Sequence, residues 1–181
     1  ADMVFKAQTA RPGNTKRRTA KDLATHTTSV SALEHVRTSM GPFNWMLVKP
    51  GSPFELEDAG SLSLAEMREA MGRCSARVLG GLVRMGFGTG RFRREKWVAI
   101  WWNGPDAPLR ERSKTTTMQA ETLAWLEPFH LTVRASDLDE FEVEKVIDRI
   151  RRLIVVDGDG VDAQVISIEG YQAALAEEVQ A

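Results

Sequence analysis

The chain has little of the raw material from which catalytic and metal sites are built. It holds one cysteine, Cys74, and three histidines in 181 residues. A single cysteine excludes an intramolecular disulfide and makes no demand on an oxidising compartment. Ahead of a predicted strand, Cys74 reads as a small, at least half-buried residue. His26, His35 and His130 fall far apart in different predicted elements, and no Cys/His spacing suits zinc. His35 reads as a surface or interface residue and His130 as a core-edge histidine. No Ser/His/Asp constellation can be assembled. The expectation is therefore no catalytic residue, no metal, no cofactor and no enzyme.

Charge of one sign and long apolar runs are missing as well. Lys and Arg total 24 against 25 Asp and Glu, a net charge of −1, so nothing draws the whole chain to nucleic acid. No apolar run reaches the length of about 18 residues that would span a membrane. The N-terminal stretch lacks the apolar centre of a secretory signal. Neither membrane nor nucleic acid is an expected partner. The glycine-rich GFGTGR, residues 86–91, lacks the Lys-Ser/Thr of a phosphate loop and runs into RFRREK and another strand. A phosphate cradle needs a helix N-terminus at that point, so this stretch reads as a hairpin connection. Trp97, Trp101 and Trp102 lie in a predicted central strand, where packing rather than base stacking is their expected work.

What is present divides into an arm, a core and a tail. Residues 1–28 are polar and basic, with Arg11, Lys16, Arg17, Arg18 and Lys21 around Pro12 and Gly13. They bury too little to order themselves, so contacts elsewhere must hold them. The core, residues 29–152, draws on the 43% of apolar residues in the chain. Ser29 or Ser31 caps a first helix with Leu33, Val36 and Met40 on its apolar side. Asn44 to Lys49 is a strand, and Phe54 to Glu57 its hairpin partner. Ser63-x-x-Glu66 is a capping box for a helix reaching Arg73. Arg77 to Met85 reads as a buried strand. Lys96 to Trp102 is nearly continuous in apolar residues, which predicts a central strand covered on both faces. Asp106 caps a long helix over Leu109–Leu126, with Leu109, Thr116, Ala120, Leu123 and Ala124 on its apolar side. His130 to Val133 is a fifth strand. Asp137 or Asp139 caps a helix carrying Phe141, Val143, Val146, Ile147 and Ile150. The tail, residues 153–181, reads as an Asp-Gly turn, a strand and a docking helix. Its Asp157, Asp159 and Asp162 do not make a calcium loop, because Val161 sits at a ligand position and Glu169 falls one residue late.

The expected fold is thus α/β (α+β): one domain with a central five-stranded mixed sheet and helices on both faces. Its basic residues gather around one strand. Arg91, Arg93, Arg94 and Lys96 precede Trp97–Trp102, and Arg110, Arg112 and Lys114 follow the turn NGPDAP. A strand of that length spans about 23 Å, so the two groups flank it at opposite ends.

This order resembles the actin-depolymerising-factor homology domain, and looks closest to its coactosin-like branch. There a Lys precedes the central strand, a Trp-Ile-Gly turn follows it, and an Arg-Ala-Lys motif opens the filament-facing helix. Here Lys96, Trp101-Trp102-Asn103-Gly104 and Arg112-Ser113-Lys114 hold those places. The resemblance covers residues 29–152. It implies a cytoplasmic, cytoskeletal protein that binds filaments, with actin the expected partner. Lys96, Lys114, Arg112, Arg110 and Arg94 would form a basic ridge for the acidic filament. The alternative is an adaptor subunit of a microtubule- or cilium-associated (axonemal) assembly, anchored by the arm.

Overall fold

The computed structural model describes residues 27–154 and 160–181. The arm cations Arg11, Lys16, Arg17, Arg18 and Lys21 lie outside the described residues, as do Asp157 and Asp159. Helix α1, Ser29–Arg37, is capped by Thr28, whose hydroxyl accepts the Ser31 N–H at 3.2 Å. The cap therefore falls at the residue before Ser29, ahead of both serines expected to supply it. Ser29 Oγ donates instead to the Phe54 carbonyl at 2.6 Å. Met40 lies past the helix end at a φ of 56° and is exposed, so the buried side of α1 is made by Ala32 and Val36.

Strands β1, Trp45–Lys49, and β2, Glu55–Gly60, form an antiparallel hairpin. Helix α2, Ser63–Arg73, follows. Only half of its expected capping box forms. Glu66 Oε2 accepts the N–H groups of Ser61 and Leu62 at 3.0 and 2.9 Å, and the Trp45 indole N–H at 2.7 Å. Ser63 is already inside the helix, because its N–H is held by the buried Asn44 carbonyl oxygen Oδ1 at 2.7 Å. Leu62 takes the cap position.

Strand β3, Val78–Phe87, pairs antiparallel with β1 and with β4, Arg94–Asn103; β4 pairs parallel with β5, Leu131–Ala135. The sheet order is β2-β1-β3-β4-β5, so β4 is internal, as its apolar run requires. Val98, Ile100 and Trp102 join the core on one face, which α2 and helix α5, Val143–Ile154, cover; Ala99 joins the core on the other, under α1. Gly80 and Gly81 allow this close packing. A Cβ at Gly80 would come within 2.6 Å of Thr122 on one face, and a Cβ at Gly81 within 2.5 Å of Met67 on the other.

The long helix between β4 and β5 is two helices, α3, Leu109–Thr116, and α4, Gln119–Leu126. Asp106 does not cap α3; Pro108 stands at the cap position with no side-chain bond. The buried side also differs from the expected one. Of the expected side only Leu123 is buried; Leu109, Thr116, Ala120 and Ala124 are exposed, and Thr115, Thr122 and Leu126 are buried instead. Threonine can be buried here because Thr115 Oγ1 and Thr122 Oγ1 each donate at 2.8 Å to the carbonyl four residues earlier, which satisfies the hydroxyl.

The tail continues the fold. Helix α6, Gly160–Val165, takes the place of the expected strand, and α7, Ile168–Gln180, docks as expected. Ile166 and Tyr171 enter the core beside Phe87. This segment lies on a sheet face, over β3, whose ladder bonds already go to β1 and β4. A strand there would leave its own N–H and C=O groups unpaired, which a helix avoids.

Candidate functional site

The basic residues at the two ends of β4 do different things. Lys96 pairs with Met85 in the β3–β4 ladder. Strand alternation puts it on the face of Val98, Ile100 and Trp102. It is half-exposed and makes no ion pair among the described residues. His130 stands close by. Its Nδ1 accepts the Trp97 N–H at 3.1 Å, and its ring stacks on the Trp97 indole with centroids 5.9 Å apart. Burial, and then the Lys96 charge, hold the imidazole below its usual 6.5.

Arg93 and Arg94 are already occupied. Arg93 faces Glu95 and Glu177, each at 3.2 Å, and also Glu178. Arg94 Nε donates to Asp162 Oδ1 at 2.9 Å. Arg91 stays exposed, with its guanidinium 4.8 Å above the ring of Phe92, itself 53% exposed.

At the other end, Arg110 and Lys114 are exposed on α3 without ion-pair partners among the described residues. Lys114 borders a cleft of about 240 Å³ with Lys49, Arg77 and Met118. Arg112 folds back. Its Nη2 donates to the Gly104 and Pro105 carbonyls at 2.9 and 2.7 Å, fastening the turn that aims α3. Leu109, 80% exposed, stands at the first position of that helix.

Lys96 and Lys114 are not neighbours. Seven residue steps of β4, about 23 Å, separate Lys96 from Asn103, which pairs with Val78 beside the Lys114 cleft. The pair α3–α4 also covers the face opposite to that of Lys96. The two free lysines therefore make two basic points rather than one continuous ridge.

Cys74 is half-buried 3.8 Å from Glu57, and burial, then that carboxylate, push its thiol up and away from the reactive thiolate. Among the described residues no group of three His, Cys, Asp or Glu is placed to hold a metal. No described helix is long and apolar enough to cross a membrane.

A family model for cofilin/tropomyosin-type actin-binding proteins matches residues 23–151. The chain belongs to this family. No curated protein matches the sequence. Among solved structures, coactosin from Entamoeba histolytica superposes with a TM-score of 0.61 at 15% identity, over 71% of this chain and 95% of that one. Human coactosin-like protein gives 0.56 at 24% identity, over 67% and 91%. Mouse coactosin, described as an actin filament binding protein, gives 0.53 at 23% identity, over 75% and 92%. Identities this low carry the fold, which is the cofilin-type fold of the coactosins. Helices α6 and α7 lie beyond the matched range of this cofilin-family chain.

Sequence reasoning missed the carboxylates that bind the hairpin cations. A signal for them exists: residues 160–181 contain Asp162, Glu169, Glu177 and Glu178 but no Lys or Arg, so no acid of α7 can pair within its own helix. It also missed Arg84, hidden in the apolar run RVLGGLVRM yet fully buried.

Proposed function

We propose that this chain is a non-enzymatic actin-filament-binding protein of the cytoplasmic cytoskeleton. The match of residues 23–151 to an actin-binding family carries the reading. Residues 29–152 form the binding unit. Lys114 and Arg110 on α3 make one contact with the acidic filament, and Lys96 at the far end of β4 makes another. Arg112 holds the α3 turn in place and does not itself reach the filament. The exposure of Lys114, the partial exposure of Lys96 and the lack of an ion-pair partner for either among the described residues support this assignment. Exposed cations cost little to bring to an acidic surface and steer its approach.

Co-sedimentation with actin filaments at low and physiological salt tests the reading. The wild type should pellet, and less so as salt rises, because exposed charges are screened over about 8–10 Å. Lys96→Glu and Lys114→Glu should each weaken pelleting about fivefold or more while leaving the unfolding midpoint unchanged. Pelleting with microtubules but not with actin would replace this reading by the adaptor role.

A further inference from the structure

Helices α6 and α7 grip the β3–β4 hairpin at several points. Gly88 N–H donates to the Gly170 carbonyl at 2.9 Å, and Gly90 N–H to Glu177 Oε1 at 3.2 Å. Arg93 Nη1 donates to the Ala174 carbonyl and to Glu177, both at 3.2 Å. Its Nη2 meets Glu178. Arg94 meets Asp162 at 2.9 Å. The two sides are complementary in charge. Residues 160–181 carry four carboxylates and no Lys or Arg, whereas residues 91–96 carry four cations and one carboxylate. The apolar anchoring of α7 is modest, with only Tyr171 and Ala174 buried in it.

We propose that residues 160–181 are an acidic strap that occupies the hairpin cations Arg93 and Arg94 in place of an external acidic partner. The strap rests on the filament-binding reading for the identity of that partner. It helps to satisfy this end of β4 electrically in the free protein, so that an acidic filament must displace Asp162 to engage Arg94, and Glu177 to reach the rim of Arg93, which Glu95 and Glu178 continue to hold. Lys96 and Lys114, which the strap leaves free, make the first contact. The strap thereby lowers the affinity of the hairpin and makes its full engagement conditional on release of its rim carboxylates, Asp162 and Glu177.

The two rim contacts can be weakened in the full-length chain without touching the buried Glu178. Asp162 and Glu177 side chains are 26% and 36% exposed, and Asp162→Asn with Glu177→Gln preserves their shapes. In the free double variant, amide exchange over residues 168–180 should quicken. Actin co-sedimentation at low salt should tighten about fivefold, since each exposed ion pair is worth a factor of about one and a half to five. Unchanged exchange would show that these pairs do not hold the strap, and loosened exchange with unchanged or weaker pelleting would show that it masks nothing; either result overturns the proposal. If neither protein pellets with actin, the filament reading fails while the strap is still judged with poly-glutamate as the probe. The double variant should then bind poly-glutamate about fivefold more tightly than the wild type, and equal binding overturns the strap.

Discussion

The guanidinium of Arg84, on β3, lies 3.4 Å from the carboxylate of Glu178, near the end of α7. Arg84 is fully buried. It also donates to the carbonyls of His35 and Val36 at 3.1 and 2.9 Å and to that of Thr38. These belong to the C-terminal end of α1, where carbonyl groups lack helical partners. One side chain thus ties α1, the middle of the sheet and α7 together. The same Glu178 accepts the Asn44 amide at 2.7 Å.

Glu178→Ala should leave the buried Arg84 charge with the more distant Glu95, 3.8 Å from its Nε, as its remaining ion partner. Removing one member of a buried pair costs about 3–5 kcal/mol. Urea denaturation should show a loss in that range, and α1 should lose amide protection along with α7. An unchanged midpoint would mean that Glu95 and the backbone carbonyls suffice to satisfy Arg84.

The second expectation concerns the core strand. Ile100 sits in the middle of β4, fully buried and flanked by ladders to β3 and β5. Ile100→Ala should destabilise by about 2–5 kcal/mol, from lost burial and the cavity left behind. A cost below about 0.5 kcal/mol would place Ile100 at a site free to collapse, against the packing described.

His130 should make stability depend on pH. Its folded-state pKa is held below 6.5 by burial first and by Lys96 second. The unfolded chain therefore takes up a proton before the folded one does. The stability contribution is full above the ordinary value near 6.5 and falls as pH drops below it toward the lower folded value. Protonation would also remove the Nδ1 lone pair that accepts the Trp97 N–H. Denaturation midpoints should decline as pH is lowered from 7 through 6, and His130→Gln should flatten that decline. An identical slope in the variant would assign the dependence to other groups.

Arg112→Ala should release the Gly104 and Pro105 carbonyls. Hydrogen bonds from charged donors are worth about 1.5–3 kcal/mol, so a loss of about 1–3 kcal/mol is expected. Exchange at residues 104–110 should quicken, and actin pelleting should fall because α3 is no longer aimed. Weaker pelleting with unaltered exchange there would instead make Arg112 a direct contact.

The strand β4 and its central place were readable from the sequence, because Trp97–Trp102 is apolar at both parities and only a doubly covered strand can use that. The same holds for the apolar period of α5 from Val143 on and for the order of elements that carries the family resemblance, although Asp137 caps a separate 3-10 turn, Leu138–Phe141, rather than α5 itself. The boundaries and caps were less readable. Leu62 became a cap because Asn44, distant in sequence, holds the Ser63 N–H, and Ser29, whose hydroxyl goes to the Phe54 carbonyl, left the cap of α1 to Thr28. The buried side of α3–α4 was hidden by threonines whose hydroxyls are satisfied within their own helix. What each basic residue does was decided by the tertiary structure alone. Arg94, Arg112 and Lys114 look equivalent as a list of cations. Only the packed chain brings Asp162 to the first and two backbone carbonyls to the second, and leaves the third facing solvent. Charge is a property of each residue, but whether it is spent inside the molecule depends on neighbours far away in sequence.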